Sequence, residues 1–127
     1  MRELLFVAMG GALGAVARFT IANQVNAIWP LRFPIATFSV NVVGSLLMGV
    51  LYVLIAERGI IHPDWRSIAM VGLLGALTTY STFSLETVHL LENGEFSTAV
   101  VYILTSVCCC LSAAWLGMFL ARISGSG

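Results

Sequence analysis

The chain has 127 residues, of which 59% are hydrophobic and only 9% are charged, and its mean hydropathy is +0.97. These values lie outside the range of soluble domains and are typical of membrane proteins. The formal net charge is zero, and the six basic residues, all arginines, form no patch of the kind that nucleic-acid binding requires. Composition therefore indicates a protein of the lipid bilayer and excludes nucleic acid as a partner.

Four apolar segments are long enough to cross a bilayer, which takes about 20 residues as a helix. They are residues 4–22, 35–56, 68–91 and 97–121. The connections between them are short and carry turn signals, among them Trp29-Pro30 in the first. We therefore predict an all-α membrane protein with four transmembrane helices and both termini on one side. Residues 1–123 would form a single domain, and residues 124–127 a flexible C-terminal tail or linker.

The arginines bear on orientation and assembly. Positive-inside counting places the termini in the cytoplasm. Four arginines lie on the terminal side, against Arg32 and at most also Arg18 opposite: Arg2, Arg58, Arg66 and Arg122. So few charges are also compatible with insertion in both directions. Four helices leave little room for a sealed pathway, so we expect a homodimer. An antiparallel pair would have its two-fold axis in the membrane plane.

The third segment holds the most polar sequence at membrane depth, residues 72–86. Gly72, Gly75, Thr78 and Thr79 have poor helix propensity and predict a loosened or broken helix near the middle of the span. A break exposes carbonyl oxygens, which can coordinate a dehydrated cation. One helix supplies too few carbonyls for such a site, and a symmetric pair would double them.

Polar side chains wrap around this third helix, so some of them must face a surface other than lipid. Tyr80 and Phe83 stand three residues apart on one face, and their ring edges carry partial positive charge that could contact an anion. The amide of Asn41 and several hydroxyls would complete a track of donors suited to a small, strongly hydrated anion. These hydroxyls belong to Thr37, Ser81, Thr82, Ser84 and Ser106.

Small residues also have a purely structural interpretation, because they let membrane helices approach closely. We favour it for four glycines, Gly10, Gly14, Gly44 and Gly49. The run Cys108-Cys109-Cys110 is likewise interpreted as packing, since neighbouring residues on a helix cannot converge on a metal.

Two charged residues lie at or near membrane depth. Glu86, the only acid deep in the predicted spans, opposes a pure anion pathway unless it is protonated or paired. Arg18 lies near the boundary of the first helix. It either extends to the lipid headgroups or lies at a vestibule where it attracts anions.

Three motifs resemble the Fluc/CrcB family of small fluoride channels along nearly the whole chain, up to about Arg122. They are residues 10–19 (GGALGAVARF), 34–44 (PIATFSVNVVG) and 72–86 (GLLGALTTYSTFSLE). The resemblance implies a multi-pass protein of the inner or plasma membrane. It would form a dual-topology antiparallel homodimer with two fluoride pores. It also implies a central structural Na⁺ ion, held by backbone carbonyls of Gly75 and Thr78 on a broken third helix.

The resemblance also assigns residues to the anion pathway. Tyr80 and Phe83 would be its anion-facing rings and Asn41 its pore amide. The polar track would include Thr37, Ser81, Thr82, Ser84 and Ser106, with Tyr102 and Glu86 associated with the pore. Tyr80 stands where the family usually has phenylalanine, so we expect altered conductance with fluoride permeation retained. Cys110, four residues after Ser106, stands where a better hydrogen-bond donor is expected.

The predicted function is a passive, fluoride-selective ion channel through which accumulated fluoride leaves the cell, and not an enzyme. The sequence has no nucleotide-binding motif and no obvious carboxylate pair for proton coupling. The main alternative is a dual-topology, proton-coupled small multidrug exporter with Glu86 as its carboxylate. A non-transporting assembly subunit would leave the hydroxyl-rich run unexplained. An intramembrane enzyme is disfavoured, because Ser84, Glu86 and His89 lie too close on one helix to converge as a triad.

Overall fold

The computed structural model describes residues 1–28 and 33–124. The predicted turn residues Trp29 and Pro30, the predicted charge at Arg32, and tail residues 125–127 lie outside this part of the chain. Every regular element in the described part is helical, as the all-α prediction requires.

The helices follow one another with short connections. Helix α1 is Arg2–Ile28, and α2 is Ile35–Tyr52, which continues into the π-helical turn Val53–Glu57. We call the π-helical stretch Arg66–Leu74 and the short α-helical turn Gly75–Leu77 together α3. Helix α4 is Tyr80–Glu92, and α5 is Phe96–Ser124.

Four helical stretches are long and apolar enough to cross a membrane, as predicted. They are Arg2–Ile28, Ile35–Glu57, Arg66–Glu92 and Phe96–Ser124. The first continues to Ile28, beyond the predicted end at Ala22. Hydropathy detects where the apolar run ends, whereas the helix itself continues through polar residues that water can satisfy at the interface.

The backbone is extended in the middle of the third span. Thr78 has φ −82° and ψ 150°, and Thr79 has φ −150° and ψ 125°. Helix α4 then begins at Tyr80, and the Thr79 hydroxyl caps it by accepting the Thr82 N–H at 3.3 Å. This extended pair lies where the sequence predicts a loosened helix.

Glycines bring α1 against α3. A Cβ atom added at Gly10 would meet the carbonyl oxygen of Ile68, and one added at Gly14 would meet that of Leu73. From the other side, a Cβ at Gly72 would come within 3.0 Å of the Gly10 Cα. The two backbones are therefore in direct contact, which confirms the packing interpretation of Gly10 and Gly14.

Glycines likewise bring α2 against α5. A Cβ at Gly49 would meet the Ala114 carbonyl oxygen, and one at Gly117 would meet that of Leu46. Gly44 faces the extended segment instead, where a Cβ would meet the Thr78 methyl group. The packing interpretation of Gly44 and Gly49 is confirmed.

Ion pairs join both ends of the chain to the connection between α2 and α3. Arg2 pairs with Asp64 at 3.0 Å, and Arg122 pairs with Glu57 at 2.6 Å. The start of α1 and the end of α5 therefore lie at the same end of the bundle, as predicted. These pairs are partly exposed, so each contributes little to stability by itself.

Replacing Gly117 by alanine is expected to lower the unfolding temperature in detergent. The added methyl group would meet the α2 backbone, and overpacking of this kind costs about 1–3 kcal/mol. Gly11→Ala is the matched control, because nothing lies within 4 Å of a Cβ there and alanine is a better helix former. Thermal unfolding followed by size-exclusion chromatography measures both variants. Equal unfolding temperatures would contradict backbone contact at Gly117.

Candidate functional site

Asn41 on α2 holds the extended segment in place. Its Nδ2 donates to the Thr79 carbonyl at 3.2 Å, and its Oδ1 accepts the Thr79 N–H at 2.9 Å. One side chain therefore satisfies both backbone groups of a non-helical residue at a depth where lipid offers no partner. An amide nitrogen carries two N–H donors, and this contact uses one of them.

In a continuous helix, each backbone N–H donates to the carbonyl four residues earlier. Two N–H groups in or just after the extended segment donate to side chains instead. The Thr79 N–H, which would bond to the Gly75 carbonyl, goes to Asn41. The Thr82 N–H, which would bond to the Thr78 carbonyl, goes to the Thr79 hydroxyl. The carbonyls of Gly75 and Thr78, the two predicted metal ligands, thus lose their usual helical donors.

Arg18 points into the protein. Its Nε donates to the Ala76 carbonyl at 3.1 Å, at the end of α3. The guanidinium thus satisfies a further carbonyl beside the extended segment and places a positive charge within the helix bundle. Neither predicted role, headgroup contact or anion attraction at a vestibule, is tested by this contact, which stays a structural one.

A small cavity of about 100 Å³ lies between α1, α2 and α4. Arg18, Thr37, Thr79, Thr82 and Glu86 all line it. The structure therefore brings together four predicted pathway residues, Arg18, Thr37, Thr82 and Glu86, from three helices. One basic and one acidic side chain face the same small volume, with hydroxyls beside them.

Glu86 has a partner on α5. The Tyr102 hydroxyl donates to its Oε1 at 3.0 Å, and the Tyr102 side chain is completely buried. The Tyr102 ring packs between two phenylalanines, with ring centroids 4.9 Å away at Phe83 and 5.2 Å away at Phe33. Close packing on both sides fixes the phenol, and the phenol in turn fixes the carboxylate.

A more open cleft of about 320 Å³ lies between α2, α4 and α5. Asn41, Thr79, Phe83 and Ser106 line it, as does Tyr80, whose ring centroid is 5.6 Å from that of Phe83. Phe83 is buried, whereas Tyr80 is 79% exposed. Thr79 lines both the cleft and the small cavity, so the extended segment borders both spaces.

Ser106 lines the cleft and has a buried hydroxyl without a hydrogen-bond partner among the described residues. Its side chain is 5% exposed. An unmade hydrogen bond of a buried hydroxyl costs about 1–3 kcal/mol. Such a group requires an explanation, and a bound polar species in the cleft supplies one.

Three predicted pathway residues line neither space: Tyr102, which lies behind Glu86 and Phe83, and the serines Ser81 and Ser84. The Ser84 hydroxyl donates to the Tyr80 carbonyl of its own helix at 3.0 Å. Ser81 is exposed, and its Oγ lies 3.3 Å from the Thr79 hydroxyl. Within a single chain, these two hydroxyls therefore serve the start of α4.

Sequence reasoning did not name Ser45, which lines the cleft beside Cys110. The signal was present, because Ser45 follows Asn41 by four residues and so lies on the same face of α2. Thr79 was named as a weak helix former and as one of the polar residues around the third helix, but not as a pathway residue. Its hydroxyl and both of its backbone groups are engaged in hydrogen bonds beside the cleft and the cavity.

Comparison with known proteins identifies the family to which this chain belongs. The family profile described as "CrcB-like protein, Camphor Resistance (CrcB)" matches residues 5–118. These residues include every side chain of the cleft and the cavity.

Three relatives carry the name "Fluoride-specific ion channel FluC". The protein from Saccharophagus degradans is 46% identical over 121 residues, which cover 93% of this chain and 88% of the relative. The one from Stutzerimonas stutzeri is 46% identical over 123 residues, covering 97% and 99%. The one from Magnetococcus marinus is 44% identical over 121 residues, covering 95% and 98%. The resemblance seen in the sequence motifs is confirmed, and this chain belongs to the CrcB family.

Proposed function

We propose that this multi-pass membrane protein is a passive, fluoride-selective ion channel, through which fluoride leaves the cell. The observation that carries the proposal is identity of 44–46% with relatives named fluoride-specific ion channels, over more than nine-tenths of this chain. The match to the CrcB family profile, over residues 5–118, includes residues 72–86, where the extended segment and the aromatic rings lie.

The two spaces around Thr79 fit the needs of a small anion. Fluoride must exchange its water for donors as it enters a bilayer-spanning protein. The cleft offers the unpartnered Ser106 hydroxyl, the remaining N–H of Asn41, and the ring edges of Tyr80 and Phe83. The small cavity offers the positive charge of Arg18, which offsets part of the cost of dehydration.

We propose that the working unit is an antiparallel homodimer with two pores. In a single chain the cleft is open on one side, and the large ring of Tyr80 is exposed beside it. A second copy packed over this face would close the cleft into a pathway. Antiparallel insertion agrees with the small arginine bias of the sequence.

A structural Na⁺ ion at the centre of that dimer fits the residues present. The carbonyls of Gly75 and Thr78 lack their usual helical donors, and backbone carbonyls of interrupted helices are the ligands that Na⁺ takes in transporters. Two such carbonyls in each chain make four in a symmetric pair. When bound, the ion supplies the charge that balances these inward-facing dipoles, while Asn41 and Arg18 hold the adjacent backbone.

Purified protein in liposomes is expected to release fluoride rapidly, as followed by an ion-selective electrode with valinomycin clamping the potential. Chloride should not be released in parallel, because the donors of the site suit a small ion. No imposed proton gradient should be needed, which separates a channel from a proton-coupled exporter. Absence of fluoride release from folded protein would overturn the channel and favour the exporter.

Tyr80→Phe is expected to raise fluoride throughput while selectivity against chloride persists. The phenol hydroxyl occupies space in the cleft and adds a donor that delays release of the ion. Removing a hydrogen bond worth about 1 kcal/mol speeds release by about fivefold. Tyr52→Phe is the control, because Tyr52 lies near the end of α2 and does not line the cleft. Equal rates for wild type and Tyr80→Phe would contradict this role.

Replacing Na⁺ by N-methyl-D-glucamine at constant ionic strength is expected to lower both the unfolding temperature and the rate of fluoride release. The carbonyl dipoles of Gly75 and Thr78 would then lack their counter-charge. The same two measurements in Li⁺ and in K⁺ serve as controls. A site of fixed size would distinguish these ions from Na⁺, whereas a general effect of salt would not. Equal stability and rate in all four cations would overturn the Na⁺ site and leave the channel proposal standing.

A further inference from the structure

The cleft contains a thiol that the proposed conduction does not use. Cys110 lines the cleft together with Ser106, one helical turn earlier on α5, and Ser45 across from it on α2. Residues four apart share one helix face. Ser106 and Cys110 therefore line the same space, and the buried Ser106 hydroxyl has no hydrogen-bond partner among the described residues.

The neighbouring thiols lie elsewhere. Cys108 and Cys109 are exposed and do not line the cleft, whereas Cys110 is half-buried within it. A rotation of about 100° per residue separates consecutive side chains on a helix. The chain thus holds three thiols at the same depth on one helix, of which one faces the cleft.

We propose that Cys110 and Ser106 form an inhibitory site for a soft, thiophilic metal ion such as Hg²⁺. Its occupation would block the fluoride pathway. Binding forms one sulfur–metal bond and releases the thiol proton to solvent, with no change of oxidation state. A water ligand of the bound metal would give the Ser106 hydroxyl the partner that it lacks. The blocking effect rests on the proposed function, whereas binding itself does not.

The donor set selects the class of metal. A single thiolate with hydroxyls beside it suits a soft ion that needs few ligands. Zn²⁺ takes about four protein ligands from cysteine, histidine and carboxylate. The described residues hold no group of three such side chains that could bind a metal together. Hg²⁺ is therefore expected to act at this site where Zn²⁺ does not.

Fluoride release from liposomes in chloride-free buffer, with and without micromolar Hg²⁺, tests the block. Two single-thiol variants form a matched pair: C108A/C109A keeps Cys110, and C109A/C110A keeps Cys108. Each is compared with its own untreated rate. Hg²⁺ should slow release by more than about tenfold through C108A/C109A and by less than about twofold through C109A/C110A, because only a thiol facing the pathway obstructs it. Excess 2-mercaptoethanol should restore the rate, and Zn²⁺ should have no effect.

A second measurement does not depend on conduction. Each variant is loaded with Hg²⁺, and the loss of mercury to competing glutathione is followed over time. The loss is expected to be slowest from C108A/C109A. It should be faster from C108A/C109A that also carries Ser106→Ala. Block of C109A/C110A, or retention on Cys110 without block, would overturn the inhibitory site. If untreated wild type releases no fluoride, the channel proposal fails. Equal mercury retention by the two single-thiol variants would then overturn the binding site on its own.

Discussion

The structure depends on the exchange of two hydrogen bonds between the Asn41 amide and the backbone of Thr79, at 2.9 and 3.2 Å. An extended residue inside a bilayer exposes an N–H and a carbonyl that lipid cannot satisfy, each at a cost of several kcal/mol. One primary amide meets both needs and keeps a second N–H. Without it, two backbone groups would stay unsatisfied in the segment that borders both the cleft and the cavity.

Close helix packing and the polar site are parts of the same arrangement. Gly44 lies one helical turn from Asn41 on α2, and its missing side chain makes room for the Thr78 methyl group. The amide can therefore reach the extended backbone only because α2 approaches it so closely. Gly49 lets α5 approach α2 in the same way, because a Cβ atom there would meet the Ala114 carbonyl oxygen. Tyr102 and Ser106 lie on α5. The small residues therefore position the polar ones, and the structural interpretation of the glycines is compatible with a functional role for the polar side chains beside them.

Local signals in the sequence predicted the four spans, the packing glycines and the weak point of the third helix, because hydropathy and helix propensity are properties of short stretches. Contacts between distant residues were not predictable. Asn41 and Thr79 are 38 residues apart, and Arg18 and Ala76 are 58 apart. The sequence therefore marked Asn41 and Arg18 as polar groups of interest but not the carbonyls that they bind. The sequence also did not indicate that the Ser84 hydroxyl bonds to the Tyr80 carbonyl, a contact that a serine readily makes with the backbone of its own helix.

Glu86 remains the least intuitive residue in an anion pathway, and its contacts explain how it can be tolerated. A carboxylate beside a passing anion would repel it, yet Oε1 is bound to the Tyr102 hydroxyl and the same cavity holds Arg18. One positive and one negative side chain facing the same volume leave it close to neutral overall. In the proposed channel, the carboxylate is engaged by the phenol rather than by the ion. The Tyr102 ring packs against Phe83, which lines the cleft. The same phenol therefore holds the acid and supports the aromatic wall along which the anion would move.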